Sequence, residues 1–141
     1  MEVKDVIRVT RDICLGLKEI HALSIPHLGI NPHNVLMNMT TASGLPSVTL
    51  SDVNMNHILL AAYRSIGRVV LNGTFNFMAP EQFDANQNHG PKCDLWALAC
   101  MVIYMVTGDP PMPGASVIQI CKEVGVARRP RVRSHHQDQE Y

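Results

Sequence analysis

Apolar and charged positions alternate with a helical period near the start of the chain. The apolar positions recur every three or four residues, and lysine, arginine, aspartate and glutamate fill most of the positions between them. This spacing places the apolar side chains on one face of an amphipathic α-helix of about twenty residues. The predicted buried face consists of Val6, Val9, Ile13, Leu17 and Ile20.

Two short apolar runs, residues 35–37 and 48–50, are predicted to be β-strands. Residues 38–46 between them are rich in threonine, serine, glycine and proline, a composition typical of a hairpin loop. Pairing of the strands would bring Asn34 and Asp52, which flank them, close together at one end of the hairpin.

An unbroken apolar run covers residues 95–106, with Pro91 before it and Gly108 just after it. Proline near the start and glycine past the end are typical of helix termini. The run is too short to cross a bilayer. It therefore predicts a helix that is apolar on every side and lies in the middle of a core.

A third helix is predicted from the pair Ser116 and Gln119, which has the spacing of a capping box, and from Gly125 as its end. Arginines cluster beyond it, at Arg128, Arg129, Arg131 and Arg133. We interpret this cluster as a solvated linker; a nuclear-localisation signal or a patch for an acidic partner is the alternative.

The composition limits the possible partners. Of 141 residues 46% are apolar, and 12 basic side chains balance 12 acidic ones, so overall charge favours neither nucleic acid nor an anionic membrane. The four cysteines are widely spaced, and the chain does not start with a secretory segment, which predicts an intracellular, cytoplasmic location. The evenly spaced His21, His27 and His33 match no usual zinc pattern, and we expect helix-end and loop roles for them.

The most informative segment reads HLGINPHN and starts at His27. It resembles the catalytic loop of protein kinases, H-R-D-L-x-x-x-N, in which the aspartate accepts the substrate proton and the asparagine binds a metal ion. In this register His27 and Asn34 match, whereas Leu28 replaces the arginine and Gly29 the catalytic aspartate. Asn31 stands where serine/threonine kinases usually carry a lysine.

Three more segments follow in the order of the kinase family. Residues 50–54, LSDVN, resemble the region of the metal-binding D-F-G, with Asp52 retained and Asn54 in place of the glycine. Residues 73–81, GTFNFMAPE, resemble the G-T-x-x-Y-x-A-P-E segment of serine/threonine-type kinases, and residues 94–99, DLWALA, resemble D-x-W-S-x-G. The resemblance covers roughly residues 6–132.

The resemblance implies a mainly α fold with a short β-hairpin, a fragment of the kinase C-terminal lobe (C-lobe) without the N-terminal lobe or the terminal C-lobe helices. Residues 1–133 would form this partial domain and residues 134–141 a polar tail. Without the terminal helices, the apolar helix would stay partly uncovered. The resemblance also implies that Asp94 ties the catalytic loop backbone to that helix and that Glu81 lacks its usual arginine partner. The expected structural residues are His27, Thr74, Glu81, Asp94 and Trp96.

These substitutions predict a pseudokinase module for protein interaction or scaffolding. The alternatives are a fragment of an active ATP-dependent serine/threonine kinase whose N-terminal lobe lies elsewhere, and a truncated product without a function of its own. Asn34 and Asp52 would be the residual magnesium and nucleotide ligands, or would only hydrogen-bond their own loops. We expect no resident cofactor, at most weak Mg-ATP binding, and a protein partner.

Overall fold

The computed structural model describes residues 1–38, 47–55, 58, 75–83 and 89–125. Its described part is mainly helical, with one antiparallel two-stranded sheet, which confirms the predicted fold class. Residues 39–46 of the predicted hairpin loop, Thr74 and the arginine cluster lie outside the described residues.

Helix α1 covers Val3–Ala22. Its buried face is formed by Val6, Val9, Ile13 and Leu17, with Ile20 partly buried against the same core, as the periodicity predicted. The helix packs on the second strand and on the central helix. The first twenty or so residues therefore form one wall of the main core.

Strands β1 (Val35–Asn38) and β2 (Ser47–Leu50) pair antiparallel, with Val35 opposite Leu50. Each strand is one residue longer at the loop end than the sequence predicted. Gly16 of α1 permits the close approach of β2, because a Cβ atom on Gly16 would lie 3.1 Å from Cδ1 of Leu50. The hairpin is thus held directly against α1.

Helix α2 covers Pro91–Thr107 and ends at Gly108, which adopts φ 83°. It starts four residues before the apolar run, because Gly90 caps it and Pro91 fits the first turn. One side, including Ala97, Cys100, Met101 and Met105, lies in the main core. The opposite side is open, with Leu95 59% and Val106 62% exposed. An apolar helix with incomplete cover was expected.

Helix α3 covers Val117–Gly125. The predicted capping box is present: the Ser116 N–H donates to Gln119 Oε1 at 2.8 Å, and the Gln119 N–H donates to Ser116 Oγ at 3.3 Å. The helix packs on two short 3₁₀ turns, Phe75–Phe77 and Pro80–Phe83. Within the described ranges, no helix has the length and apolarity needed to cross a membrane.

Candidate functional site

The carboxylate of Asp94 organises the loop that starts at His27. Asp94 lies in the first turn of α2 and its residue is 0% exposed. Its Oδ2 accepts a hydrogen bond from the His27 N–H at 2.8 Å, and its Oδ1 accepts one from the Leu28 N–H at 2.7 Å. The buried carboxylate is therefore satisfied by loop backbone donors, and the loop is fixed to the start of α2.

A third partner of this carboxylate comes from the end of α1. Nε2 of His21 lies 2.7 Å from Oδ2 of Asp94, although the two residues are 73 positions apart in the chain. The end of α1, the loop and the start of α2 thus meet at the two carboxylate oxygens of Asp94. A helix-end or loop role was predicted for His21, but its pairing with Asp94 was not predicted.

The imidazole of His27 lies inside the loop and is 0% exposed. Its Nδ1 accepts a hydrogen bond from the Gly29 N–H at 3.2 Å. Burial lowers the pKa of His27 below the usual 6.5, although the charge of Asp94 and nearby backbone groups, including that of Ser51, oppose the shift. The Asn54 N–H also donates to the His27 carbonyl at 2.8 Å, which connects the loop to the segment after β2. The lowered pKa favours the neutral form of the His27 imidazole at neutral pH.

At the position of the catalytic aspartate, Gly29 offers only its backbone. The Gly29 carbonyl accepts hydrogen bonds from Nδ2 of Asn31 at 2.9 Å and from Nδ2 of Asn34 at 2.8 Å. Among the described glycines, the left-handed ones are Gly108 and Gly114. Gly29 is therefore not required by a left-handed backbone conformation.

Asn31 is turned into the loop and is 2% exposed. Besides binding the Gly29 carbonyl, it accepts a hydrogen bond from the His33 N–H through Oδ1 at 2.8 Å. The nitrogen and the oxygen of its side-chain amide are thus both hydrogen-bonded within the loop. Where serine/threonine kinases carry a cationic lysine, this chain has a buried, neutral asparagine with a structural role.

Leu28 takes the position of the kinase arginine and has φ 60°, a left-handed conformation that is costly for leucine. Its N–H is held by Asp94, and its carbonyl accepts a weak hydrogen bond from Gln82 Nε2 at 3.4 Å. Its side chain is buried with Ala79 and Cys93. An apolar contact therefore joins the loop to the A-P-E segment and to α2.

Gln82 was not identified by the sequence analysis. Its Oε1 accepts a hydrogen bond from the Ala79 N–H at 2.9 Å, while its Nε2 reaches the Leu28 carbonyl. A single amide thus closes the 3₁₀ turn and joins it to the loop. Only its position next to the A-P-E motif could have drawn attention to it, since isolated glutamines carry no spacing signal.

The Glu81 side chain contacts a thiol. Sγ of Cys93 donates to Glu81 Oε1 at 3.4 Å, and Nε2 of His89 lies 3.1 Å from the Glu81 carbonyl. Burial, and next the charge of Glu81, raise the pKa of Cys93 to about 12, so the thiol stays protonated. In the described part of the chain, no basic side chain forms an ion pair with Glu81.

Trp96 connects the separate apolar clusters. It is partly exposed and packs against the main core, against the cluster of Leu28, Ala79 and Cys93, and against the cluster of α3 with Phe75. The indole therefore links the loop and α3 to the central helix. Thr74, the other predicted structural residue of this region, lies outside the described residues.

Asn34 and Asp52 lie at the same end of the hairpin. The Ser51 N–H donates to the Asn34 carbonyl at 3.0 Å, which continues the strand pairing, and Asp52 follows it, exposed and with φ 57°. Because Nδ2 of Asn34 is bound to Gly29, the oxygen Oδ1 is the part of its side chain suited to a cation. Among the described residues, no three histidine, cysteine, aspartate or glutamate side chains are arranged to hold a metal ion.

Comparison with known proteins identifies the family of the chain. The family model described as "Protein kinase domain" matches residues 1–139, so the chain belongs to the protein kinase domain family. The relatives are of the serine/threonine type, which confirms the predicted superfamily.

Three relatives illustrate the range of similar proteins. Serine/threonine-protein kinase shk2 of Schizosaccharomyces pombe is 32% identical over 75% of this chain. Inactive serine/threonine-protein kinase PLK5 of Mus musculus is 32% identical over 81%, and mitogen-activated protein kinase kinase kinase 6 of Homo sapiens is 36% identical over 79%. The matches span 17%, 18% and 9% of these relatives, respectively.

Proposed function

We propose that this chain is a pseudokinase module that acts through protein interaction or scaffolding rather than phosphotransfer. The observation that carries the proposal is Gly29, which has no side chain where the catalytic base belongs and whose carbonyl binds two asparagine amides. No aspartate or glutamate occurs in residues 26–50, so the loop and hairpin do not supply a substitute base. A missing base of this kind costs about 10²- to 10⁴-fold in rate.

The donor set also argues against a firmly bound Mg-nucleotide. Mg²⁺ needs near-octahedral oxygen ligation, and Asn34 Oδ1 and the Asp52 carboxylate supply a small part of it. Asn31, at the position that the resemblance assigns to a phosphate-contacting lysine, is buried in its own loop. These residues do not fit a metal and nucleotide by themselves. We therefore propose that Mg-ATP binds with a dissociation constant weaker than about 1 mM, or about 4 kcal/mol of binding free energy.

A second candidate function is a fragment of an active serine/threonine kinase. Its specific support is the retention of Asn34 and Asp52 at one end of the hairpin and the similarity to relatives named as protein kinases. The relative named "Inactive" supports the first candidate instead. The chain's own Gly29 makes the pseudokinase module our preferred proposal.

We further propose that the partner is a protein in the cytoplasm. The balanced charge gives no general attraction to nucleic acid or anionic lipid. Free cysteines at all four positions fit a reducing compartment.

The test is a phosphotransfer assay on the whole chain, with radiolabelled ATP, Mg²⁺ and a generic protein substrate. We expect no transfer above that of Asp52→Ala, and no rescue by Gly29→Asp alone. Calorimetric titration with Mg-ATP should show no micromolar binding. Transfer by the wild-type chain that disappears in Asp52→Ala would overturn the pseudokinase proposal and support the active-kinase fragment.

A further inference from the structure

Leu28 is held in its left-handed conformation, φ 60°, by contacts with several elements. Its N–H donates to Oδ1 of Asp94 at 2.7 Å, and its carbonyl accepts a hydrogen bond from Nε2 of Gln82 at 3.4 Å. Its side chain is 5% exposed and is buried with Ala79 and Cys93. A side chain disfavours this backbone conformation, so the conformation persists only where the surrounding structure fixes it.

Two of these contacts come from the two 3₁₀ turns, residues 75–83, and not from the loop itself. Ala79 lies between the turns and is 0% exposed, and Gln82 lies in the second turn. The side-chain amide of Gln82 also accepts a hydrogen bond from the Ala79 N–H at 2.9 Å. If the turns moved away, Leu28 would lose the cover of its side chain and a hydrogen bond to its carbonyl. The strain at Leu28 would then be less firmly opposed.

We propose that Leu28 couples the shape of the loop to the docking of the two turns. While the turns are docked they keep Leu28 left-handed, and their release lets the loop backbone relax. Coupling of two regions requires an element with two arrangements that both regions bias, and the Leu28 backbone is that element. The coupling is reciprocal, so a change at Leu28 also alters the docking of the turns. It does not depend on phosphotransfer, and its failure would leave the pseudokinase proposal unchanged.

Amide hydrogen exchange, measured residue by residue by NMR on the whole chain, tests the coupling from the loop. Leu28→Ala and Leu28→Gly both remove the buried side chain, but alanine keeps the backbone strain whereas glycine adopts φ 60° freely. In both variants the amides of Ala79 and Gln82 should lose about tenfold in protection, relative to the buried Ile13 of α1 as a reference for global unfolding.

The amide of residue 28 separates the strain from the lost side chain. It should lose protection in Leu28→Ala, where the strain is no longer held, and keep it in Leu28→Gly, where no strain remains. Wild-type protection of the turns in both variants would overturn the proposal. Equal protection of residue 28 in the alanine and glycine variants would overturn it as well.

Two control variants match these changes. Ser24 is also left-handed, with φ 59°, but it is exposed, so Ser24→Gly relieves strain without removing a buried side chain. Leu28→Met keeps an apolar side chain of similar volume. Both variants should keep nearly wild-type protection in the loop and in the turns. Loss of protection of the turns in either control would contradict the assigned role of the Leu28 side chain.

A double-mutant cycle tests the coupling from the turns. Gln82→Ala removes the contact with the Leu28 carbonyl and should lower the protection of the residue 28 amide by about tenfold in the wild-type background. In the Leu28→Gly background it should have little effect on this amide, because glycine is not strained there. The same loss in both backgrounds would overturn the proposal. The cycle does not use Leu28→Ala, so it decides the question even if that variant fails to fold.

Discussion

Replacing Asp94 by asparagine would test whether one buried carboxylate holds the loop in place. The two side chains have nearly the same shape, but the amide offers one acceptor oxygen where the carboxylate offers two. Asp94 accepts from the His27 and Leu28 N–H groups on different oxygens. In either orientation of the amide, its NH₂ group would therefore face a backbone N–H. One buried donor would lose its acceptor.

The expected loss of stability follows from the cost of such a group. Loss of a hydrogen bond to a charged acceptor, with a buried donor left unsatisfied, costs about 3–5 kcal/mol. Asparagine also removes the cost of burying a charge, which reduces the net effect, so we expect about 3 kcal/mol. That is a large part of the roughly 5–15 kcal/mol that stabilises a typical domain. With a urea m-value of about 2 kcal/mol/M, the midpoint should fall by about 1.5 M.

Urea denaturation followed by circular dichroism measures this change, with Glu19→Gln as the control because Glu19 is exposed on α1. The control should stay within about 0.5 kcal/mol of wild type. Hydrogen exchange gives a local measurement: the amides of His27 and Leu28 should exchange much faster in Asp94→Asn. If the midpoint and both exchange rates match those of the wild type, the assigned role of Asp94 is refuted.

Three further predictions concern the same region. Burial lowers the pKa of His27 below 6.5, so as the pH falls the imidazole is protonated in the unfolded chain before it is protonated in the folded chain, and the free energy of unfolding should fall below pH 6.5. In pH-dependent denaturation, His27→Gln should flatten this slope. His33→Gln, at an exposed position, should not. Gln82→Ala should cost about 1–3 kcal/mol in urea denaturation, because it frees a buried N–H and a carbonyl, and a loss under about 0.5 kcal/mol would contradict the assigned contacts. With a pKa of about 12, Cys93 should stay unlabelled by iodoacetamide in the native chain while the exposed Cys14 reacts, as read by mass spectrometry; rapid native labelling of Cys93 would be the contrary result.

Local patterns predicted most of the described secondary structure. The face of α1, the hairpin, the long helix ending at Gly108 and the capping box at Ser116 each depend on spacings within one element. Such spacings reflect the repeat of the backbone itself and can be recognised without knowledge of the tertiary fold. The apolar run begins four residues after the start of α2, because the first turn carries Lys92 and Asp94; Pro91 was the sequence sign of the start.

Contacts between distant elements were harder to predict. The pairing of His21 with Asp94 joins residues 73 positions apart and depends on how α1 ends over α2. The inward direction of Asn31 and the double contact of Gln82 depend on side-chain rotamers in a folded loop. The kinase resemblance located the loop and Asp94, but it could not show which neutral side chains would replace the usual ionic contacts.

The contacts that shape the loop are made to its backbone. Asp94 binds the N–H groups of His27 and Leu28, and Asn31 and Asn34 bind the carbonyl of Gly29. None of these bonds depends on which side chain occupies position 29. Natural selection for folding alone would therefore not preserve an aspartate there. The loop can therefore keep this backbone shape with glycine at position 29, so its shape alone does not report whether the chain transfers phosphate.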